Sequence, residues 1–299
     1  MIKKIIILFT ILIVLMGILV ALWLTFFKSA GKSGQFSVRQ GEGTREIGQN
    51  LQKEGFISSS LLFSVYVYLR HDLLQIGVYK IEGDMKMSQV ISLLKEGKIQ
   101  EYLVTIPEGW RITQIDGYLA ERKIIKKNDL TKIASADEGY LFPDTYRFPL
   151  KVTAEEIRRE MIENFNKKTA NFKISRETII LASIVEREAK FDEDRPKIAG
   201  VYLNRLEKGM KLEADPTVQY AKGSWEPITT ADYKNVSSPY NTYLYAGLPP
   251  GPICNPGLKS IQAVLYPQKD GFLYFFHKAD GHAVYSSTQE DHEQNLKNN

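Results

Sequence analysis

Glu188, near the end of a predicted helix, has the clearest chemical potential in this chain of 299 residues. Ser175 is a typical N-cap residue, and the apolar run after it predicts a helix that extends to about Ala189. Leu181 and Val185 precede Glu188 by seven and three positions, so the three side chains share one helix face. A carboxyl group on an apolar stripe is poorly solvated, which raises its pKa and keeps it protonated near neutral pH. We therefore predict that Glu188 is a general acid.

A second carboxylate and a plainer interpretation belong to the same helix. Glu186 lies two positions before Glu188, about 200° away around the helix axis, so the two side chains cannot face the same cleft. Glu186 falls nearer the polar flank of the helix, where its carboxylate stays charged. In the plainer interpretation the helix ends at Glu188, and its carboxylate faces water or pairs with a cation.

Hydrogen-bonding and aromatic residues follow this helix in three further segments. After a second predicted helix that ends at Gly209, residues 215–220 and 239–243 supply Asp, Asn, Thr and Tyr side chains. Residues 247–257 contain four prolines and three glycines, which excludes a helix or a central strand. Polar tips beside flat aromatic faces are typical of sugar-binding surfaces, so these segments are predicted to bind a carbohydrate.

The composition excludes several other classes of protein. The net charge of +4 is too small and too dispersed for a nucleic-acid-binding protein. One cysteine, Cys254, excludes a disulfide framework and a cysteine-based zinc site. His277, His282 and His292 do not have a recognised metal-ligand spacing. We therefore predict no metal and no cofactor, and no nucleic-acid partner.

The elements that position these residues indicate an α+β fold with two folded parts. Residues 36–100 predict a small βααβ-type module, with strands at Phe36–Val38 and Val78–Ile81 and helices that begin near Thr44, Ser59 and Ser88. This module has no catalytic constellation, so a spacer and a binding module remain open alternatives. Residues 101–299 are predicted to form a mixed α+β catalytic domain.

The N-terminal segment differs in composition from the rest. Residues 5–27 contain no charged side chain, which predicts a transmembrane helix that would span the membrane core of about 30 Å. Residues 1–4 would then be a cytoplasmic tail and residues 28–35 a linker, with the N-terminus inside and the catalytic domain outside the cytoplasm. The expected localisation is the cytoplasmic membrane, in a single pass. A cleaved signal peptide is the alternative.

Several long motifs of this sequence resemble the endolytic murein transglycosylases of the YceG-like family. The resemblance covers essentially the whole chain. The matching runs are Gly139–Tyr146, Leu181–Glu188, Asn204–Arg205, Asp215–Val218, Tyr240–Tyr243, Gly247–Ile253, Asn255–Gly257 and the ending from Gly281 to His292.

The resemblance implies a lytic cut of peptidoglycan glycan strands, with the cell membrane and cell-wall synthesis proteins as further candidate partners. The bond between N-acetylmuramic acid and N-acetylglucosamine would break to leave a 1,6-anhydro end, with Glu188 as the single catalytic acid and base. It also implies a LysM-like fold for residues 36–100. By the same resemblance, the substrate-binding residues are expected among Asn204, Asp215, Thr217, Tyr240 and Asn241.

Two other functions remain open from the sequence. A muramidase-type hydrolase would use Glu188 as the acid and a second carboxylate, such as Asp215, to activate water. In that segment Pro216 also allows Asp215 to have a purely structural role in a turn. A non-catalytic cell-wall binding or scaffold protein would act through the LysM-like module alone.

Overall fold

The computed structural model describes residues 9–17, 20, 31–39, 41–97 and 101–298. The fold is a mixture of helices and small two-stranded sheets, as predicted. The chain divides into two compact units. Unit 1 comprises residues 1–102 with 147–151, and unit 2 comprises residues 103–146 with 152–299.

Unit 1 is built around one antiparallel pair of strands. Phe36 and Tyr79 are paired across the sheet, and both side chains are almost completely buried. The helices that cover this pair begin within one or two residues of the predicted positions, and one has its predicted cap, since Ser59 accepts a hydrogen bond from the backbone N–H of Leu62. Gly97 has the left-handed conformation that ends a helix. The elements are β1 (Gly34–Val38), α1 (Thr44–Lys53), α2 (Ser60–Leu69), β2 (Gly77–Ile81) and α3 (Met87–Glu96).

Unit 2 is predominantly helical. The chain passes between the units within β3 (Glu101–Thr105) and β4 (Thr145–Pro149), which pair with each other, and a second strand pair closes the fold. The remaining elements are α4 (Ile112–Glu121), α5 (Asp129–Ala134), a 3₁₀ turn (Ser135–Asp137), α6 (Ala154–Thr169), α7 (Arg176–Glu188), α8 (Arg195–Glu207), α9 (Asp215–Ala221), α10 (Asp232–Asn235), α11 (Leu258–Leu265), β5 (Tyr274–His277), β6 (Ala283–Ser286) and α12 (Gln289–Lys297).

Helix α7 forms the centre of unit 2. Ser175 caps it as predicted, by accepting a hydrogen bond from the N–H of Thr178 at 3.2 Å. Residues 179–185 are then all buried, against α8, α9 and α11. Because one face packs on α8 and another on α11, the helix presents its last turn at a fixed position and angle. Glu186 and Glu188 lie on that turn.

The proline- and glycine-rich segment 247–257 contains no helix or strand, as predicted. The segment is joined by hydrogen bonds to the loop that begins at Gly139. Asn255 is fully buried, and its side-chain oxygen accepts hydrogen bonds from the N–H groups of Gly139 and Leu141, both at 2.9 Å. Gly139 has a φ of +90°, and a Cβ atom there would lie 2.6 Å from a carbon of Pro252, so only glycine fits.

The prediction of a transmembrane helix over residues 5–27 is wrong, and so is the single-pass membrane localisation that depended on it. Within the described residues this segment is helical only at 9–17 and 20, and about 20 residues are needed for a crossing. In the described part of the chain, no helix combines sufficient length with sufficient apolar character to span a membrane. Residues 1–8, 18–19 and 21–30 lie outside the described residues.

Candidate active site

Glu186 and Glu188 occupy different environments, as their separation around the helix requires. The Glu186 carboxylate is buried and accepts hydrogen bonds from the Ser260 hydroxyl at 2.8 Å and the Gly257 N–H at 3.0 Å. The guanidinium of Arg195 lies 3.4 Å from its other oxygen. Glu186 is therefore a structural anion that joins α7 to the start of α11.

Glu188 faces a cleft of about 370 Å³ in unit 2. The hydroxyl of Tyr202, a buried residue of α8, donates a hydrogen bond to its Oε1 atom at 2.8 Å. The pKa of Glu188 is raised to about 7, because burial, the largest cause, and the charge of Asp215 raise it more than the Tyr202 hydrogen bond lowers it. A carboxyl group with this pKa is protonated in a large fraction of molecules at neutral pH, which is the state that a general acid requires.

Asp215 is a second carboxylate in the same cleft. Its Oδ1 atom accepts a hydrogen bond from the Tyr243 hydroxyl at 2.5 Å. The ring of Tyr243 stacks on Tyr233 at 4.1 Å between centroids, with an angle of 24° between the planes. The cleft therefore combines a carboxyl group of raised pKa, a second carboxylate and two stacked aromatic rings along its wall.

Arg205 holds the walls of the cleft together. Its guanidinium donates hydrogen bonds to the carbonyl oxygens of Leu273, at 2.6 Å, and Leu212, at 2.9 Å, and it pairs with Glu213 at 3.0 Å. These acceptors belong to the segment before α9 and to the segment before β5. One buried arginine thus fixes two chain segments that are about sixty residues apart in sequence.

Residues near the C-terminus form another part of the cleft wall. Phe275, Phe276 and His277 of β5 and His292 of α12 line the cleft. Burial lowers the pKa of both His277 and His292, so the two rings favour their neutral form. His282, in contrast, stacks on Phe191 at 4.2 Å and does not line the cleft.

The structure places the remaining predicted binding residues outside the lining of this cleft. Asn204 donates a hydrogen bond to the carbonyl oxygen of Phe272, and Asn241 to those of Tyr233 and Val236. These amides hold loops that shape the site.

Two more of the predicted binding residues are likewise engaged elsewhere. Thr217 is fully buried, and its hydroxyl bonds the Thr242 hydroxyl at 2.9 Å. Tyr240 lies against Tyr220, at 4.8 Å between ring centroids. Of the six predicted site residues, Glu188 and Asp215 are brought together in the cleft.

Sequence reasoning missed most of the residues that surround Glu188. Tyr202 lies fourteen positions after Glu188 in the next helix, and Tyr243 lies in a loop. The C-terminal histidines were considered only as metal ligands. One signal was available for Tyr202, since it stands on the buried face of α8 with a hydroxyl that needs a partner.

The motifs of the chain match a known family over nearly all of the described residues. A family model described as the YceG-like family matches residues 36–298. This chain belongs to the YceG-like family. The resemblance inferred from the sequence is therefore confirmed.

Two named relatives and one solved structure illustrate the similarity. A Bacillus subtilis (strain 168) protein named endolytic murein transglycosylase is 32% identical over 303 residues, which cover 89% of this chain and 84% of that protein. A Streptococcus pneumoniae protein of the same name is 31% identical, with 87% of this chain and 57% of that protein covered. A crystal structure of a yceG-like protein from Listeria monocytogenes matches with a TM-score of 0.56 and 31% identity, over 88% of this chain and 99% of that one.

Proposed function

We propose that this protein is an endolytic murein transglycosylase that cuts peptidoglycan glycan strands between N-acetylmuramic acid and N-acetylglucosamine. The observation that carries the proposal is the Glu188 carboxyl, which lies in a cleft, is held by Tyr202 and has a pKa of about 7. The names of the Bacillus and Streptococcus relatives support the same substrate.

In the proposed reaction Glu188 acts twice. Its protonated carboxyl first donates the proton to the glycosidic oxygen, so that the bond to the muramyl C1 atom breaks and positive charge develops at C1. The Glu188 carboxylate then accepts the proton of the C6 hydroxyl, whose oxygen attacks C1 and closes the 1,6-anhydro ring. The product is an anhydro end on one fragment and a free hydroxyl on the other, and no water is consumed.

The other cleft residues have roles that follow from their positions. Asp215 supplies negative charge on the cleft wall, where it stabilises the positive charge that develops at C1. Tyr243 holds Asp215 in place, and its stack with Tyr233 offers an aromatic face for a sugar ring. Tyr202 keeps one oxygen of Glu188 occupied, so the proton resides on the other.

A muramidase-type hydrolase is the second candidate, and the observation that favours it is Asp215 in the same cleft as Glu188. In that reaction Asp215 would activate a water molecule, and the product would carry a reducing end. The two candidates differ in the mass of their products by one water molecule.

The deciding experiment digests purified glycan strands and identifies the new ends by mass spectrometry. We expect 1,6-anhydro ends on internal fragments of the strands. Glu188→Gln should lower the rate by at least 10²–10⁴-fold, because an amide neither donates nor accepts the proton. Glu186→Gln is the matched control: it removes the same charge two residues away, outside the cleft lining, and should retain turnover.

Each alternative outcome identifies another function. Reducing ends in place of anhydro ends would establish the hydrolase. Intact strands after digestion with the wild type would leave a non-catalytic binding protein. A fast Glu188→Gln variant beside an inactive Glu186→Gln variant would move the catalytic role to Glu186.

Residues 36–100 are proposed to be a LysM-like module that binds peptidoglycan, and residues 101–299 to carry the catalytic activity. The support is that every residue lining the Glu188 cleft belongs to unit 2, whereas unit 1 has its own hydrophobic core. A fragment of residues 31–97 should sediment with insoluble peptidoglycan and should not cleave it. A fragment that never sediments would instead be a spacer.

A further inference from the structure

Two arginine side chains of unit 2 stack on the same tryptophan. The guanidinium carbon of Arg111 lies 3.7 Å from the centroid of the Trp225 ring, and that of Arg187 lies 4.1 Å from it. Arg187 is the residue between Glu186 and Glu188 on α7. Trp225 therefore brings two positive charges together beside the catalytic helix turn.

Among the residues that the structure describes, neither of these two arginines forms a salt bridge. The Nε atoms of Arg111 and Arg187 are buried and have no hydrogen-bond partner, and one bond of 3.4 Å joins Arg111 Nη2 to the Gln219 carbonyl oxygen. Among the described residues, no carboxylate oxygen lies within 4.0 Å of a guanidinium nitrogen of Arg111 or of Arg187. Charged groups in such surroundings ordinarily have an anion as a partner.

The nearest acidic group does not neutralise the pair. The charge of Glu138 raises the pKa of Arg111. The Glu138 carboxylate, however, accepts its hydrogen bonds from the Ile112 N–H at 3.2 Å and the Asn255 amide at 3.1 Å. Burial raises the pKa of Glu138 to about 7, so this group carries only part of a negative charge at neutral pH. The cluster consequently keeps a net positive charge.

We infer that Arg111, Arg187 and Trp225 form a binding subsite for a carboxylate group of the peptide stem that peptidoglycan carries. This inference rests on the proposed function. A guanidinium is planar and presents paired N–H donors that match the two oxygens of a carboxylate. Arg187 and Trp225 are only half-buried, so both retain surface in contact with water.

The position of the pair agrees with the chemistry of the substrate. The muramyl residue whose C1 atom reacts at Glu188 carries its peptide on C3 of the same sugar ring. Arg187 precedes Glu188 by one position on α7, about 100° around the helix axis, and the arginine pair does not line the Glu188 cleft, so the subsite would lie beside the cleft and receive the peptide as it leaves. The subsite would therefore favour strands that still have charged peptides.

The test compares two substrates that differ in charge alone. Strands with native peptide stems are one, and the same strands with their carboxylates converted to primary amides by carbodiimide and ammonia are the other. We expect wild-type kcat/KM to be roughly tenfold higher on the native strands, since amidation replaces the anionic partner of the arginines by a neutral amide. Arg187→Gln should lower kcat/KM on native strands by about the same factor and abolish the discrimination.

Two further variants control for folding and for charge in general. Arg159→Gln removes an exposed arginine of α6 that pairs with Glu163 at 3.9 Å, and it should discriminate as the wild type does. Arg187→Lys keeps the charge without the planar fork, and it should retain part of the discrimination. If Arg187→Gln unfolds, Arg187→Lys and Trp225→Phe provide the same comparison, with loss of discrimination expected in proportion to the loss of the stack.

Binding gives a readout that does not need turnover. In the Glu188→Gln background, a soluble stem tetrapeptide with free carboxylates should bind more tightly than its fully amidated form, and addition of Arg187→Gln should remove the difference. Equal affinities, or equal wild-type kcat/KM on both strands, would overturn the subsite while cleavage itself upheld the proposed function. Absence of any cleavage by the wild type would overturn the proposed function. If the two peptide affinities were also equal, the subsite would be overturned as well.

Discussion

At the scale of single residues, two glutamates of one helical turn have different surroundings. The Glu186 carboxylate accepts hydrogen bonds from two donors and lies beside a guanidinium. Glu188 has one hydroxyl donor and a like charge nearby, so burial dominates and raises its pKa. Position on the helix, and not residue type, decides which glutamate can deliver a proton.

The raised pKa of Glu188 predicts that this carboxylate destabilises the folded protein at alkaline pH. Its pKa in the folded state is about 7, above the ordinary value of 4.5, so its contribution to stability is full below pH 4.5 and is lost as the pH rises through 7. Glu188→Gln removes this loss. Urea unfolding should show a gain for the variant over wild type that is about 2 kcal/mol larger at pH 8 than at pH 5. A gain independent of pH would contradict the pKa shift.

Tyr202 is predicted to set the pH at which the enzyme loses activity. Its hydrogen bond lowers the pKa of Glu188, so Tyr202→Phe should raise that pKa and move the alkaline limb of the kcat/KM profile to higher pH. The maximal rate should fall by about tenfold, because the carboxyl group loses its fixed orientation. Phe276→Leu, which alters another cleft residue without a hydrogen bond, is the comparison, and its limb should stay in place. An unshifted limb in Tyr202→Phe would argue against this role.

Periodicity identified Glu188 because a helix converts sequence spacing directly into a shared face. It could not predict the contacts of Tyr202 and Tyr243. Tyr202 bonds Glu188 from 14 positions away, and Tyr243 bonds Asp215 from 28 positions away. Residue type was also an unreliable guide. Asn241 and Thr217 have the polar groups expected of sugar contacts, yet their partners are in the protein interior.

At the scale of elements, the junction between the Gly139 loop and segment 247–257 positions the N-terminal half of α7. Asn255 alone makes four side-chain hydrogen bonds there, to Gly139, Leu141, Trp110 and Glu138. The prolines restrict the backbone of the segment, and the single amide of Asn255 joins it to the neighbouring loop.

Asn255→Ala should therefore lower the free energy of unfolding by about 3–5 kcal/mol, because several buried donors and acceptors lose their partner together. Urea or thermal unfolding measures the change. Asn235→Ala, at an exposed position of the short helix α10, is the control and should change stability by less than about 0.5 kcal/mol. Equal small effects at both positions would mean that the junction tolerates water in place of the amide.

Most helices that begin with a cap were predicted within a few residues, because capping and apolar spacing are local signals. The capping box of Thr153 and Glu156 at the start of α6 is an example of such a local signal. Helices α9 and α11 were not predicted. Both are short and lie in segments rich in proline and glycine, so their stability comes from packing against α7, which local spacing does not report.

At the scale of the whole molecule, unit 1 has a hydrophobic core made entirely from its own residues. The core cluster begins at Phe36 and ends at Leu94. A fragment of residues 31–97 should consequently unfold in a single cooperative transition, followed by circular dichroism in urea. Phe63→Ala, at a completely buried position, should abolish or strongly destabilise that transition, whereas Tyr68→Ala, at an exposed one, should leave it nearly unchanged. A gradual transition in the unaltered fragment would show that it needs residues 147–151.

The division of the chain also shows what composition alone does not reveal. A boundary near residue 100 was predicted from the change of pattern, but residues 147–151 return to unit 1 from within the later sequence. Such a return leaves no local signal, because it depends on β4 pairing with β3 across about forty residues. The charge-free N-terminal run was likewise a statement about composition, and it did not yield a membrane-spanning helix in the described residues.

The wall of the cleft formed by Phe275, Phe276, His277 and His292 has a consequence for the protein during its own synthesis. Glu188 is made about ninety residues before that wall exists. Until the cleft has folded around it, its carboxyl group is hydrated and ionised like that of any exposed glutamate, and it has no proton to give at neutral pH. The proposed general acid is therefore absent from the unfolded chain, and it arises only when the walls of the cleft have assembled around Glu188.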